Sequence, residues 1–161
     1  MIHHYFGSKK SLYDAIIQKF SQETFDVALR VIAQAPRSAE EFKFRMAMFI
    51  TETLEALIAQ APVFRILTRD QSEFVAFSKY HAEFIRFLEQ AKAAGYLRDG
   101  VDIEMISGLI LDRLGNQVLF GTSFKGQDRP NVLTDATYRD RWLAANIDIL
   151  VNGFAAGPSA E

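Results

Sequence analysis

The chain has 161 residues, 49% hydrophobic and 24% charged, enough for one domain with a proper core or one domain plus a fragment of another. Its net charge of -2 and pI near 5.9 count against a stand-alone nucleic-acid binder, which usually shows a strongly basic face. Cysteine is absent, which excludes disulfides, thiolate metal sites and a cysteine nucleophile. No run approaches the roughly 18 apolar residues of a membrane span, and the first residues lack the basic-then-apolar order of a signal peptide. The expectation is a soluble protein of a reducing cytoplasm, with no membrane partner.

In chain order the pattern predicts an all-α protein. Residues 2–6 read as the last turn of a helix, with a bend at Gly7. Ser8 then caps a helix to about Ala33, whose buried face is Leu12, Ile16, Phe20, Val27 and Val31. Pro36 ends that segment. Ser38-Ala-Glu-Glu41 is a capping box, opening a helix to about Gln60 with Phe42, Met46, Phe49, Ile50, Thr53 and Leu57 inward. Pro62 suits the first turn of a short helix to about Arg69.

A long helix follows from about Ser72 to Ala94, carrying Phe74, Phe77, His81, Phe84 and Leu88 on one stripe. Gly95 is its left-handed stop. Asp102 caps a helix over 103–120, closed by Gly121, and residues 122–133 form the one long loop. Thr134 caps a last helix to Phe154, and the Gly157–Glu161 tail is expected to fray. There are no internal repeats.

The start of the chain carries a family resemblance. Ile2, His3, His4, Tyr5, Phe6, Gly7, Ser8, Lys9 and Leu12 fall in order on the pattern Leu-Tyr-Tyr-His-Phe-x-Ser-Lys-x-x-Leu. That pattern ends the helix-turn-helix of tetracycline-repressor-like (TetR) transcriptional regulators. Gly95–Glu104 also resembles the family's turn before its dimer-forming helices. The resemblance is strong over residues 2–17 and is a helical pattern beyond them.

The resemblance implies a remnant of a DNA-binding domain over 1–12, a ligand-binding and dimerisation domain over 13–155 and a disordered tail over 156–161. In an intact protein His3, His4, Tyr5, Lys9 and Lys10 would approach DNA phosphates, a lysine at a helix start adding its charge to the free N–H groups there. His3 replaces the usual tyrosine and Tyr5 the frequent histidine, and both can still donate hydrogen bonds. The base-reading half of the recognition helix is not in this sequence, whether through a gene start set downstream, cleavage or truncation. Operator DNA is thus a partner only where that upstream region is present.

The resemblance further implies an effector pocket among the helices starting near Ser38, Ser72 and Asp102. Its candidates are Met46, Phe49, Thr53, Phe77, His81, Phe84, Arg113, Asn116 and Gln117, for an unknown small, largely apolar effector. His81 reads first as a hydrogen-bonded core histidine and second as a cavity wall. Arg113, Asn116 and Gln117 share a helix side expected to be buried, so Arg113 needs a partner. Glu52, Asp112 or a carboxylate of a second chain would serve; the alternative is a carboxylate on the effector.

Gly108 and Gly115 would let another helix approach closely. With Trp142, Leu143, Ile147, Leu150 and Phe154 they are the candidates for a homodimer contact. Adjacent His3 and His4 point about 100° apart with no third ligand at a recognisable spacing, so no metal is expected. No nucleophile motif or phosphate loop suggests catalysis, and neither an enzyme nor a cofactor is expected. The sequence therefore reads as a ligand-responsive regulator, with a dimeric small-molecule-binding module that does not touch DNA as the alternative.

Overall fold

The computed structural model describes residues 8–69, 73–121 and 130–157, with the side chains of 73–76 left aside. Among them are seven helices: α1 (Lys9–Glu23), α2 (Asp26–Val31), α3 (Ala39–Ala59), α4 (Ala61–Arg69), α5 (Glu73–Ala93), α6 (Ile103–Phe120) and α7 (Ala136–Phe154). The only extended pairing among the described residues is an isolated bridge between Leu97 and Ala155. No single helix among them is long and apolar enough to cross a membrane. His3, His4 and Tyr5, the loop over 122–129 and the end of the tail lie outside the described residues.

α3 is the central helix, packed against α2, α4, α6 and α7. Its stripe of Phe42, Met46, Phe49, Ile50, Thr53, Leu54 and Leu57 is buried, as three- and four-residue spacing requires. Ser38 Oγ accepts from the Glu41 N–H at 3.0 Å. The return half of the box differs from expectation: the Glu41 carboxylate takes the backbone N–H of Arg37 at 3.2 Å, held by the Arg37 side chain at 2.8 Å.

The first helix is shorter than its periodicity suggests. α1 ends at Glu23, and the chain turns through Thr24 and Phe25 before α2. No glycine or proline marks this break; Phe25 causes it by burying its ring against Phe20, Phe77 and Tyr80, with centroids 4.3–5.8 Å away. The register then slips. Phe25, Ala28 and Ile32 are buried, whereas Ile16 and Val27 are exposed. Two arginines hold the end of α2, where free carbonyls remain: Arg45 donates to the Val31 and Gln34 carbonyls, and Arg86 to that of Ala33.

α5 ends in a Schellman motif. Gly95 (φ 79°) donates to the Lys92 carbonyl and Tyr96 to that of Ala91, satisfying groups the helix leaves free. Asp102 caps α6 by accepting from the Met105 N–H, and Gly121 (φ 58°) closes it. The cap of α7 is Asp135 and not Thr134. Its side chain accepts from the Tyr138 N–H, while the Thr134 N–H is taken by Asn131. After α7, Ala156 donates to the Tyr96 carbonyl, pinning this stretch beside the α5–α6 turn.

Candidate functional site

α3 and α4 meet at an 84° bend, because Gln60 ends one helix and Pro62, lacking an N–H, fits the first turn of the next. The bend carries α4 away from α3 and across α6. Between α3, α4, α5 and α6 lies a cavity of about 520 Å³, within the range of small-molecule sites. Thr53 and Leu57 from α3, Phe64 from α4, Tyr80 from α5 and Gly115 from α6 form its buried floor. Phe77, Thr68, Leu111, Leu119 and Gly108 line the walls, and the exposed side chains Ser78, His81, Asp112 and Asn116 form the mouth.

The floor holds one fixed polar contact. Tyr80 is fully enclosed and its hydroxyl lies 2.5 Å from Thr53 Oγ1. Thr53 has one hydroxyl proton, directed to the Phe49 carbonyl at 2.6 Å, so Tyr80 is the donor in its pair with Thr53. Burial pushes the Tyr80 hydroxyl well above the usual phenol range. At the mouth, Ser107 donates to the Glu104 carbonyl and therefore accepts from His81 Nε2, at 3.0 Å.

The rings of the cavity continue into the first helix. Phe77 meets Phe64, Phe20 and Phe25 at 5.6, 5.6 and 5.2 Å between centroids, and Tyr80 meets Phe25 at 4.3 Å. These are ordinary distances for favourable aromatic pairs. A side chain that moves at the cavity thus touches the end of α1 directly.

Of the residues the sequence pointed to, Thr53, Phe77, His81 and Asn116 line this cavity. Met46, Phe49 and Phe84 do not: they are fully buried, with Phe49 stacked on Phe84 at 4.4 Å. His81 is exposed at the mouth rather than enclosed in the core. The expected buried polar side of α6 also comes apart. Gln117 is buried with its Nε2 unpaired, whereas Arg113 and Asn116 are exposed. Arg113 pairs with none of the carboxylates considered for it. Its Nε donates to Asn146 Oδ1 at 2.9 Å and its guanidinium lies over Trp142 at 5.4 Å, joining α6 to α7.

Sequence reasoning missed Phe64, Tyr80, Leu111, Asp112 and Leu119 as cavity residues. The α6 members had a usable signal, since positions 108, 111, 112, 115, 116 and 119 share one helical face. Lys9 and Lys10 are exposed on the first turn of α1, and Lys10 pairs with Asp14 at 2.8 Å. Among the dimer candidates, Trp142, Leu143, Leu150 and Phe154 are buried within the chain and Ile147 is half-buried. Gly108 and Gly115 line the cavity, and a Cβ on Gly115 would sit 3.2 Å from Phe64 Cζ. The apolar side chains left outward on α6 and α7 are Met105, Leu109, Phe120 and Ile149, each more than half exposed.

No protein-family model and no curated protein matches the sequence. Among solved structures, the fold is similar to that of the ketosteroid transcriptional regulator KstR2 of Mycobacterium tuberculosis. The TM-score is 0.62 at 18% identity, covering 97% of this chain and 78% of that one. At that identity the likeness speaks for architecture, and the architecture is an all-α, TetR-like fold.

Proposed function

We propose that this chain is the effector-binding and dimer-forming part of a ligand-responsive transcriptional regulator of the TetR type, acting in the cytoplasm as a repressor. The observation that carries the reading is the cavity and its ring contacts: Phe77 and Tyr80 line the space, Phe77 touching Phe20 on α1 and both touching Phe25 in the turn after it. A small, largely apolar effector would displace these rings and so bias the position of α1, the helix that follows the helix-turn-helix remnant. Such a ligand shifts the equilibrium only by its differential affinity for the two positions.

The second copy would sit on the outward faces of α6 and α7, where Met105, Leu109, Phe120 and Ile149 are exposed. That differs from the buried anchors the sequence suggested on the last helix. On α6 the outward stripe adjoins the cavity face, since Leu109 and Phe120 directly follow the cavity residues Gly108 and Leu119. Effector and partner copy would then press on one helix.

Two measurements test this. Light scattering should give a mass near twice the 18.2 kDa chain, and Leu109→Asp should halve it. The neutral fluorophore N-(2-hydroxyethyl)dansylamide should enter the cavity, be excluded by Gly108→Phe, and change hydrogen exchange of the α1 amides. A monomer, or an occupied cavity with unaltered α1 exchange, would defeat the regulator reading.

A further inference from the structure

Thr53, Thr68, Tyr80 and His81 present acceptors to the cavity, and these point to the kind of ligand it takes. The Thr53 and Thr68 hydroxyl protons go to the Phe49 and Phe64 carbonyls, the Tyr80 proton to Thr53, and the His81 Nε2 proton to Ser107. What remains toward a ligand is lone pairs: on these oxygens and on His81 Nδ1 in its neutral form. Asp112, at the mouth, adds a carboxylate with no ion pair or side-chain hydrogen bond among the described residues. Among the described residues no lysine or arginine lines the space; Arg113, next to Asp112 in sequence, is turned to Asn146 and Trp142.

A carboxylate or phosphate group entering here would face Asp112, with the Asn116 amide as a donor. A protonated amine meets the opposite situation. It donates to acceptors and is attracted by Asp112 at the mouth, while Phe64, Phe77 and Tyr80 line the space for an apolar body.

Resting on the effector-site reading above, we infer that the ligand is an organic cation: one protonated amine on a flat apolar body, with the amine toward Asp112 at the mouth. This reverses the polarity that an inward Arg113 would have set.

Three dansyl probes sharing one fluorophore test the inference on the intact chain at neutral pH and low salt: N-(2-aminoethyl)dansylamide (cation), N-(2-hydroxyethyl)dansylamide (neutral) and dansylglycine (anion). Asp112 is exposed, so the attraction is partly screened, and the cation is expected to bind about tenfold tighter than the anion. Asp112→Asn should weaken the cation about fivefold and leave the neutral probe within about twofold. Asp112→Lys should invert the order, and Gly108→Phe should exclude all three.

Equal or tighter binding of dansylglycine, or a cation preference that survives Asp112→Asn, would overturn the inference. If the neutral and anionic probes enter and the cation gains nothing, the cavity remains an effector site and the cation assignment alone falls. If none of the three enters, the effector reading falls with it.

Discussion

The two ends of α3 face different neighbourhoods built from the same kind of side chain. At its N-terminal end Phe42 packs on Phe87 and Phe154, with centroids 5.8 and 6.1 Å away, and all three rings are buried. At its C-terminal end Thr53 and Leu57 look into the cavity among Phe64, Phe77 and Tyr80. Aromatic content is similar, so it does not decide which end opens. Backbone geometry does. The closed end is held by Arg98 and Ala156, which donate to the Phe154 and Tyr96 carbonyls, whereas the open end contains the 84° bend and two glycines on α6.

The strongest way to break this comparison is to truncate one phenylalanine at each end. Phe42→Ala removes a fully buried ring from dense surroundings and should cost about 4 kcal/mol, read from urea unfolding. Phe64→Ala removes a ring that already borders empty space, so the loss should be nearer about 2 kcal/mol. Equal costs would mean that the cavity collapses in solution and that the two ends are equally packed.

The next effect is confined to the floor of the open end. Thr53→Val deprives the buried Tyr80 hydroxyl of its acceptor and should destabilise by about 2 kcal/mol. Adding Tyr80→Phe removes the stranded donor, and the double variant should recover at least half of that loss. A double variant as unstable as Thr53→Val alone would mean that the hydroxyl finds another partner.

The same group sets a pH dependence. Burial raises the Tyr80 pKa in the folded state, so the unfolded chain releases this proton first, near pH 10. Stability contributed by this group is therefore complete below pH 10 and falls above it, by up to about 1.4 kcal/mol per pH unit. Tyr80→Phe should flatten that part of the profile, and an unchanged alkaline slope would place the hydroxyl in contact with solvent.

How much of this was legible follows from whether a feature is local. Asp102, Gly95 and Ser38 mark helix ends by bonding backbone within a few residues, and the sequence shows them. Thr134 and Asp135 are both cap-forming residue types side by side, and only the Asp135 bond to the Tyr138 N–H separates them, which a cap rule does not contain. The break at Phe25 is further from local control, since contacts with Phe77 and Tyr80 on α5 override a helical pattern.

At the site, Thr53 and Met46 share a stripe of α3 and looked alike in sequence. Seven residues apart, they end in different neighbourhoods, one beside the cavity and one in closed core. Phe64 was hidden because α4 is short and its direction depends on the bend. Arg113 misled through an expected burial that does not occur; being exposed, it needs no countercharge and settles on Asn146 and Trp142.

The smallest expected effect sharpens the comparison most finely, because it compares two glycines on the cavity face of one helix. Both Gly108→Ala and Gly115→Ala gain helix propensity, worth about 0.8 kcal/mol each. At Gly108 the new methyl group meets nothing within 4 Å, so the gain should appear whole as higher stability. At Gly115 it would lie 3.2 Å from Phe64 Cζ, and the ring must yield by a few tenths of an ångström. The net change there should be near zero. The displaced Phe64 ring should also weaken the hydroxyl-bearing dansyl probe at Gly115→Ala. Equal stabilisation at both positions would show that α4 moves freely against α6, and that the cavity is bounded by a mobile wall rather than by the fixed approach of Gly115 to Phe64.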